Sequence, residues 1–280
     1  MALFRAVETA RGESDRLFED RYASRFLPAP LNLVAELARV PGIGRAVTWV
    51  LDTGWPRTRS SGVVRTRFID DAVSDGLRAG AGQLLLLGAG FDSRPYRLAA
   101  ANGVAIFEVD HPATQAAKRD RLSRMQSAPA ERVHFVPVDF ERTDLAAALR
   151  AAGFATDLPA VVVWEGVVSY LTAAAVDQNF ALLQRLTTVG SRLIFTYVDK
   201  GALDGSVEFR EAARWKQWER FSGEPFTFGF DPAELAGYLA RYGFILANDH
   251  STAEIAARLC TNGRHELGSE LYRVAVAERR

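Results

Sequence analysis

Two kinds of apolar pattern alternate along this chain. Short runs that are almost wholly apolar predict buried strands, and longer segments with apolar residues every three or four positions predict helices. The predicted strands cover residues 83–87, 104–109, 133–138, 160–164 and 192–198. The helices between them cover residues 94–101, 111–127, 143–152 and 172–189. This alternation predicts a parallel sheet covered by helices on both faces.

The flanking segments complete this picture. Before the first strand, helices are predicted over residues 13–27, 31–40 and 43–51 and from Arg65 onward; after the fifth strand, a helix over 231–242, a strand over 244–249, a helix over 253–259 and a strand over 271–277. We therefore predict one α/β domain with a doubly wound, mostly parallel, seven-stranded Rossmann-like sheet. Residues 1–60 would form a helical cap, 65–200 the cofactor-binding core, 201–230 an inserted lid and 231–280 the last part of the sheet.

A glycine turn joins the first strand to the next helix within QLLLLGAGFDSRPYRL, residues 83–98. Gly88 and Gly90 let the backbone turn tightly and approach a ligand. A dinucleotide fingerprint has a third glycine where this chain has Ser93, and a P-loop needs a lysine that this turn lacks. The pattern favours a small cofactor without phosphates, for which S-adenosylmethionine is the commonest candidate. The alternative is a turn that binds nothing.

Acidic residues end three successive predicted strands. Asp110 follows the second strand and lies 20 residues after Gly90, where a carboxylate can bind ribose hydroxyls. Asp139 ends the third strand, where it could accept from an adenine amino group, and Glu165 ends the fourth. Ligands of parallel sheets bind at these strand ends. Each acid alone could equally be a helix cap or a solvated turn residue.

The overall composition excludes several classes of function. Lysine plus arginine equals aspartate plus glutamate at 34 each, so no basic field attracts nucleic acid or an acidic membrane. Cys260 is the only cysteine, which excludes an internal disulfide and a cysteine-built metal site. No signal peptide or membrane span is visible. We predict a cytoplasmic protein with no metal, no nucleic-acid partner and no membrane partner.

Five segments in this order resemble the leucine carboxyl methyltransferase family of S-adenosylmethionine-dependent enzymes, in particular its bacterial small-molecule O-methyltransferases. They read RTRFIDDAV, LLLLGAGFDSRPYRL, FEVDHPATQAAKRDRL, VHFVPVDFERTDL and VVVWEGVVSYLT. The resemblance implies that Arg67 pairs with the methionine carboxylate of the cofactor and Glu165 with its amino group. It also implies cofactor contacts for Gly88, Ala89, Gly90, Asp110, His111, Asp139 and Phe140. Tyr170 and His111 are the candidate catalytic residues.

The acceptor is predicted to be a small hydrophobic or aromatic metabolite, typical of secondary metabolism. Residues 209–230 carry seven aromatic residues, which indicate either an apolar lid over the acceptor or rings that pack within the domain. A carboxylate acceptor needs no base, whereas a phenol does, and His111 is the only histidine beside the predicted cleft. Two alternatives stay open: a nicotinamide-dependent oxidoreductase and a non-catalytic cofactor-binding protein. Oligomeric state and acceptor identity are not predicted.

Overall fold

The protein contains one seven-stranded sheet. The computed structural model describes residues 1–40, 42–55, 57–125, 132–139, 144–211, 225–261 and 264–280. The strands are β1 Gln83–Leu87, β2 Ala105–Asp110, β3 Val133–Pro137, β4 Ala160–Trp164, β5 Arg192–Val198, β6 Phe244–Ser251 and β7 Tyr272–Arg279. Their order across the sheet is β3-β2-β1-β4-β5-β7-β6. The first five strands are parallel, and β7 runs antiparallel to both of its neighbours. The predicted fold class is confirmed.

Helices cover both faces of this sheet. They are α1 Ala2–Thr9, α2 Ala29–Leu37, α3 Ile43–Gly54, α4 Thr58–Arg78, α5 Arg94–Arg97, α6 Pro112–Ser123, α7 Leu145–Ala151, α8 Ala173–Leu186, α9 Lys200–Asp204, α10 Leu235–Ala240 and α11 Thr252–Leu259. Side chains at the first turn fix several helix starts: Asp144, Thr172 and Ser251 each accept a hydrogen bond from a backbone N–H of their helix. In the described part of the chain, no helix has the length and apolarity needed to span a bilayer.

Successive residues of each central strand pack into two apolar cores, one on each face of the sheet. In β1, Leu85 and Leu87 pack on one face of the sheet, while Leu84 and Leu86 pack on the other. All five residues of β1 are buried. Because both faces are covered, apolar residues fill most positions of these strands, as from Leu84 to Leu87 in β1.

The predicted helix over residues 13–27 is wrong. The N-terminal helix lies earlier, at α1, and within residues 13–27 only Ser24–Phe26 form a short 3-10 turn. The buried carboxylate of Asp20 accounts for the difference, because its Oδ1 accepts from the backbone N–H groups of Tyr22 and Ala23 at 3.1 and 3.0 Å. Side-chain capping of this kind competes with helix formation. The chain therefore folds around Asp20.

Residues 212–224 of the predicted lid, with Trp215, Trp218 and Phe221, lie outside the described residues. The described residue before it, Glu211, is buried and accepts at Oε1 from Ser269 Oγ at 2.9 Å and from the Glu270 N–H at 2.7 Å. On the other side, Phe230 is buried in the core of the sheet domain. The described part of this aromatic stretch thus includes a ring that packs within the domain, as one of the two interpretations predicted.

Candidate active site

The glycine turn sits at the carboxyl end of β1, between the ends of β2 and β4. Gly88 has φ +67°, and a Cβ there would lie 2.6 Å from Val167 Cγ2. Its N–H and that of Ala89 donate to the carbonyl of Val109 at 2.9 and 3.0 Å, which fixes the turn onto β2. Only glycine satisfies both the left-handed backbone and the close approach of Val167.

Asp110 lies directly beside this turn. Its Oδ2 accepts from the Gly90 N–H, and its Oδ1 accepts from the His111 N–H at 2.6 Å. The spacing of 20 residues between Gly90 and Asp110 therefore corresponds to a contact in space. Asp139 follows β3 and is half-buried, and the preceding N–H, of Val138, donates to the Asp110 carbonyl at 2.9 Å. Phe140 lies outside the described residues.

A cleft of about 280 Å³ opens at the ends of β1 and β4. It is the position where parallel sheets bind ligands. One wall is the glycine turn and the two residues after it, 88–92, and another is the start of α1, with Met1, Ala2 and Arg5. The side chains of Arg65, Arg94 and Glu165 also line the cleft. Three of the predicted cofactor contacts in the turn, and Glu165, thus line one cavity.

Glu165 is the charged centre of this cleft. Its Oε1 lies 2.8 Å from Nη2 of Arg65, and its Oε2 accepts from Nη1 of Arg94 at 2.7 Å. Burial alone would raise the pKa of the Glu165 carboxyl, but Arg94 and Arg65 hold that pKa well below its ordinary value. Glu165 is therefore ionised at neutral pH and can attract a cationic group.

The structure places Arg65, and not Arg67, at the cleft. Arg67 is half-exposed; its Nε bonds the Asp71 carboxylate at 2.9 Å and its Nη1 donates to the Leu17 carbonyl at 2.7 Å. Arg65 is buried, and its Nε has no hydrogen-bond partner among the described residues. An unpaired buried donor is costly, and it marks a position that an anionic ligand group can satisfy.

The helical spacing of apolar residues in α4 could have predicted that Arg65, and not Arg67, faces the cleft. Arg65 precedes the buried Ile69 by four residues, so both lie on the face of α4 that packs on the sheet. Arg67 is two residues further on, about 200° around the helix axis. Two other residues, Arg5 and Asp20, were not predicted at all, because their role depends on contacts between distant segments.

These contacts bind the N-terminal segment to the glycine turn. Arg5 donates to the Phe91 carbonyl at 2.7 Å and to Asp20 Oδ2 at 2.8 Å. Ser93 donates to the same Asp20 oxygen at 2.5 Å. Burial opposes the ionised form of Asp20, but Arg5 and Arg97 keep its pKa lowered. One wall of the cleft is therefore held in place by a charged cluster.

The two candidate catalytic residues do not line this cleft. His111 is exposed, and its Nδ1 accepts from the Ala113 N–H at 3.2 Å as the N-cap of α6. Tyr170 belongs to the 3-10 turn Val168–Tyr170, is 43% exposed and has its ring centroid 5.2 Å from that of Phe226. Their catalytic roles stay predictions.

Known proteins resemble this chain in sequence and in fold. The sequence pattern described as leucine carboxyl methyltransferase matches residues 1–184. A protein of Mycobacterium sp. (strain JLS) that carries the name of an S-adenosyl-L-methionine-dependent methyltransferase is 35% identical over 202 residues, covering 70% of this chain and 65% of that relative's length. One of Mycolicibacterium paratuberculosis with the same name is 30% identical over 267 residues, covering 91% and 81%. A crystal structure from Thermobifida fusca, titled as a methyltransferase, shares the fold with a TM-score of 0.63 at 14% identity, covering 99% and 94%.

Proposed function

Because this chain belongs to the leucine carboxyl methyltransferase family, we propose that it transfers the methyl group of S-adenosylmethionine to an oxygen of a small molecule. The cofactor predicted from the sequence is the one that the names of both mycobacterial relatives specify. One observation carries the proposal: a buried arginine with an unpaired Nε lies beside an ionised glutamate in the cleft at the glycine turn. Such a pair matches the carboxylate and the amino group of a free amino acid.

The residues present fit the cofactor in the following way. Arg65 would bind the methionine carboxylate, in place of the Arg67 predicted from the sequence, and Glu165 would bind the ammonium group. The turn Gly88–Ala89–Gly90 would border the methionine chain, because all three residues line the cleft and Gly90 has no side chain to fill it. Asp110 would accept from the ribose hydroxyls and Asp139 from the adenine amino group.

The bound cofactor supplies an activated methyl group on a sulfonium. The protein must hold the acceptor oxygen in line with the carbon–sulfur bond and exclude water, which accounts for most of the acceleration in such a transfer. Arg65 and Glu165 would hold the amino-acid end of the cofactor. The fold would thereby set the position of its methyl group.

We favour a carboxylate acceptor over a phenol. Among the described residues that line the cleft there is no histidine, lysine or tyrosine side chain to take a proton. The amino group of Met1 also lies there, but burial and the nearby Arg5 and Arg65 lower its pKa to about 6, which makes it a weak base for a phenol. His111, the candidate base, uses Nδ1 to cap α6. A carboxylate arrives ionised and needs no base, whereas a phenol with a pKa near 10 does. The exposed ring of Tyr170 and the half-buried ring of Phe226, which contact each other, support an apolar or aromatic body for this acceptor.

A panel of carboxylic acids and matched phenols, assayed with methyl-labelled cofactor, tests this proposal. We expect methyl esters as products and a rate that is flat between about pH 6 and 8, because carboxylates ionise near pH 4. His111→Gln should leave that rate within about threefold of wild type. Methylation of phenols alone, abolished in His111→Gln, would overturn the carboxylate assignment and leave the cofactor assignment intact.

A further inference from the structure

Arg94 joins three carboxylates from three different parts of the fold. Its Nε bonds Asp70 of α4 at 2.8 Å, and its Nη1 bonds Asp92 of the glycine turn at 2.6 Å and Glu165 after β4 at 2.7 Å. Its side chain is 3% exposed. With bonds in three directions, this guanidinium is held in one orientation.

The other arginine on Glu165 is held less firmly. Arg65 has one carboxylate partner, Glu165, and packs on the ring of Tyr272 with 5.0 Å between its Cζ and the ring centroid. Its Nε is unpaired within the described structure. A cofactor carboxylate would therefore compete with Glu165 for Arg65. Arg94 would then be the arginine that keeps its bond to Glu165.

We propose that Arg94 is a positioning residue that keeps the Glu165 carboxylate ionised and aimed into the cleft while Arg65 binds the cofactor, which makes cofactor affinity independent of pH near neutrality. This inference rests on the proposed placement of the cofactor's amino group at Glu165. A buried carboxylate without a cation takes up a proton, and a neutral carboxyl no longer attracts an ammonium ion. Arg94 prevents that protonation by its bond to Glu165.

Other charges also face Glu165. Arg5 and the amino group of Met1 lie on α1 or at its start, in the wall of the same cleft. Burial, with Arg5 and Arg65 nearby, lowers the pKa of the Met1 amino group to about 6. A second titration thus occurs near pH 6. The test therefore compares variants between about pH 6.5 and 8.5, where this amino group stays largely neutral.

Calorimetry of S-adenosylhomocysteine binding to the full chain tests the inference. Wild type should change affinity less than about threefold between pH 8.5 and 6.5. Arg94→Met should bind at least about tenfold more weakly at pH 8.5 and lose at least a further tenfold at pH 6.5, since one proton taken up changes affinity up to tenfold per pH unit. Arg97→Met is the matched control, because the Arg97 side chain is only 6% exposed and bonds Asp70 at 2.5 Å, and no contact with Glu165 is present in the described structure. The affinity of Arg97→Met for S-adenosylhomocysteine should differ from that of wild type by the same factor at pH 8.5 and at pH 6.5.

The double variant Arg94→Met with Glu165→Gln should bind weakly and without pH dependence between about pH 6.5 and 8.5, because the carboxyl group whose protonation weakens binding has been removed. If Arg94→Met does not fold by circular dichroism, Arg94→Gln removes the same charge but keeps an N–H donor, and the same pH dependence is expected. If Glu165→Gln alone weakens binding but the folded Arg94 variant binds with the same affinity at both pH values, the inference is refuted. The proposed cofactor site is then unaffected. Wild-type affinity in Glu165→Gln would instead refute the proposed placement of the amino group.

Discussion

Arg65 and Arg67 lie two residues apart on one helix, and they should differ sharply in their effect on cofactor binding. Arg65→Met removes a buried side-chain donor of the cleft whose Nε has no hydrogen-bond partner among the described residues. Glu165 keeps Arg94, so the main loss is the partner of the cofactor carboxylate. A hydrogen bond to a charged group is worth about 1.5–3 kcal/mol, and leaving a buried charge unpaired moves the cost to the upper end. We expect about 2–3 kcal/mol, equal to about 30- to 150-fold in Kd.

Arg67→Met is the control on the same helix. Its side chain is 41% exposed and forms an i,i+4 pair with Asp71, a pair that is 49% exposed on the acid side. Exposed pairs of this kind contribute little, so we expect less than about 0.5 kcal/mol in cofactor affinity. Titration of S-adenosylhomocysteine into both variants at pH 7.5 measures the contrast. Equal losses in the two variants, or a larger loss in Arg67→Met, would refute the placement of the methionine carboxylate.

Three further outcomes follow from the structure. S-adenosylhomocysteine should raise the Tm by mass action while NAD leaves it unchanged, and the reverse result would exclude the assigned cofactor. Gly88→Ala should destabilise the protein by about 2 kcal/mol in denaturant unfolding, and Gly90→Ala by less, because only the first Cβ would meet Val167 at 2.6 Å. Lys118→Met should cost about 3–5 kcal/mol by leaving buried Glu108 unpaired, with Glu108→Gln restoring most of it. Burial then raises the pKa of Glu108 further, so the loss should be larger at pH 8 than at pH 5; a loss that grows toward acid pH would contradict this.

The sheet was predictable from the sequence because its strands are buried on both faces. Such strands are mostly apolar, and the predicted bounds of β1, β4 and β5 coincide with the observed ones. The N-terminal segment was not predictable in the same way. Leu17, Phe18, Tyr22 and Phe26 recur at helical spacing, but the bonds that Asp20 makes to α1 and the glycine turn override that pattern.

The candidate site divides along the same line. The glycines and Glu165 could be located because each directly follows a recognisable strand. Arg94 could not be assigned a role from sequence, since its three carboxylate partners come from positions 70, 92 and 165. Only the folded backbone brings these positions together.

The place of β7 in the sheet affects how the chain folds while it is being synthesised. β7 is the last of the seven described strands along the chain, yet it lies between β5 and β6 and pairs with all of β5 from Arg192 to Val198. Until residues 272–279 have emerged, β5 is an edge strand with an apolar surface and unpaired backbone groups. Exposed edges of this kind pair with other chains. A nascent or truncated chain that ends before Tyr272 should therefore aggregate through β5, even though every strand next to the cofactor cleft has already been made.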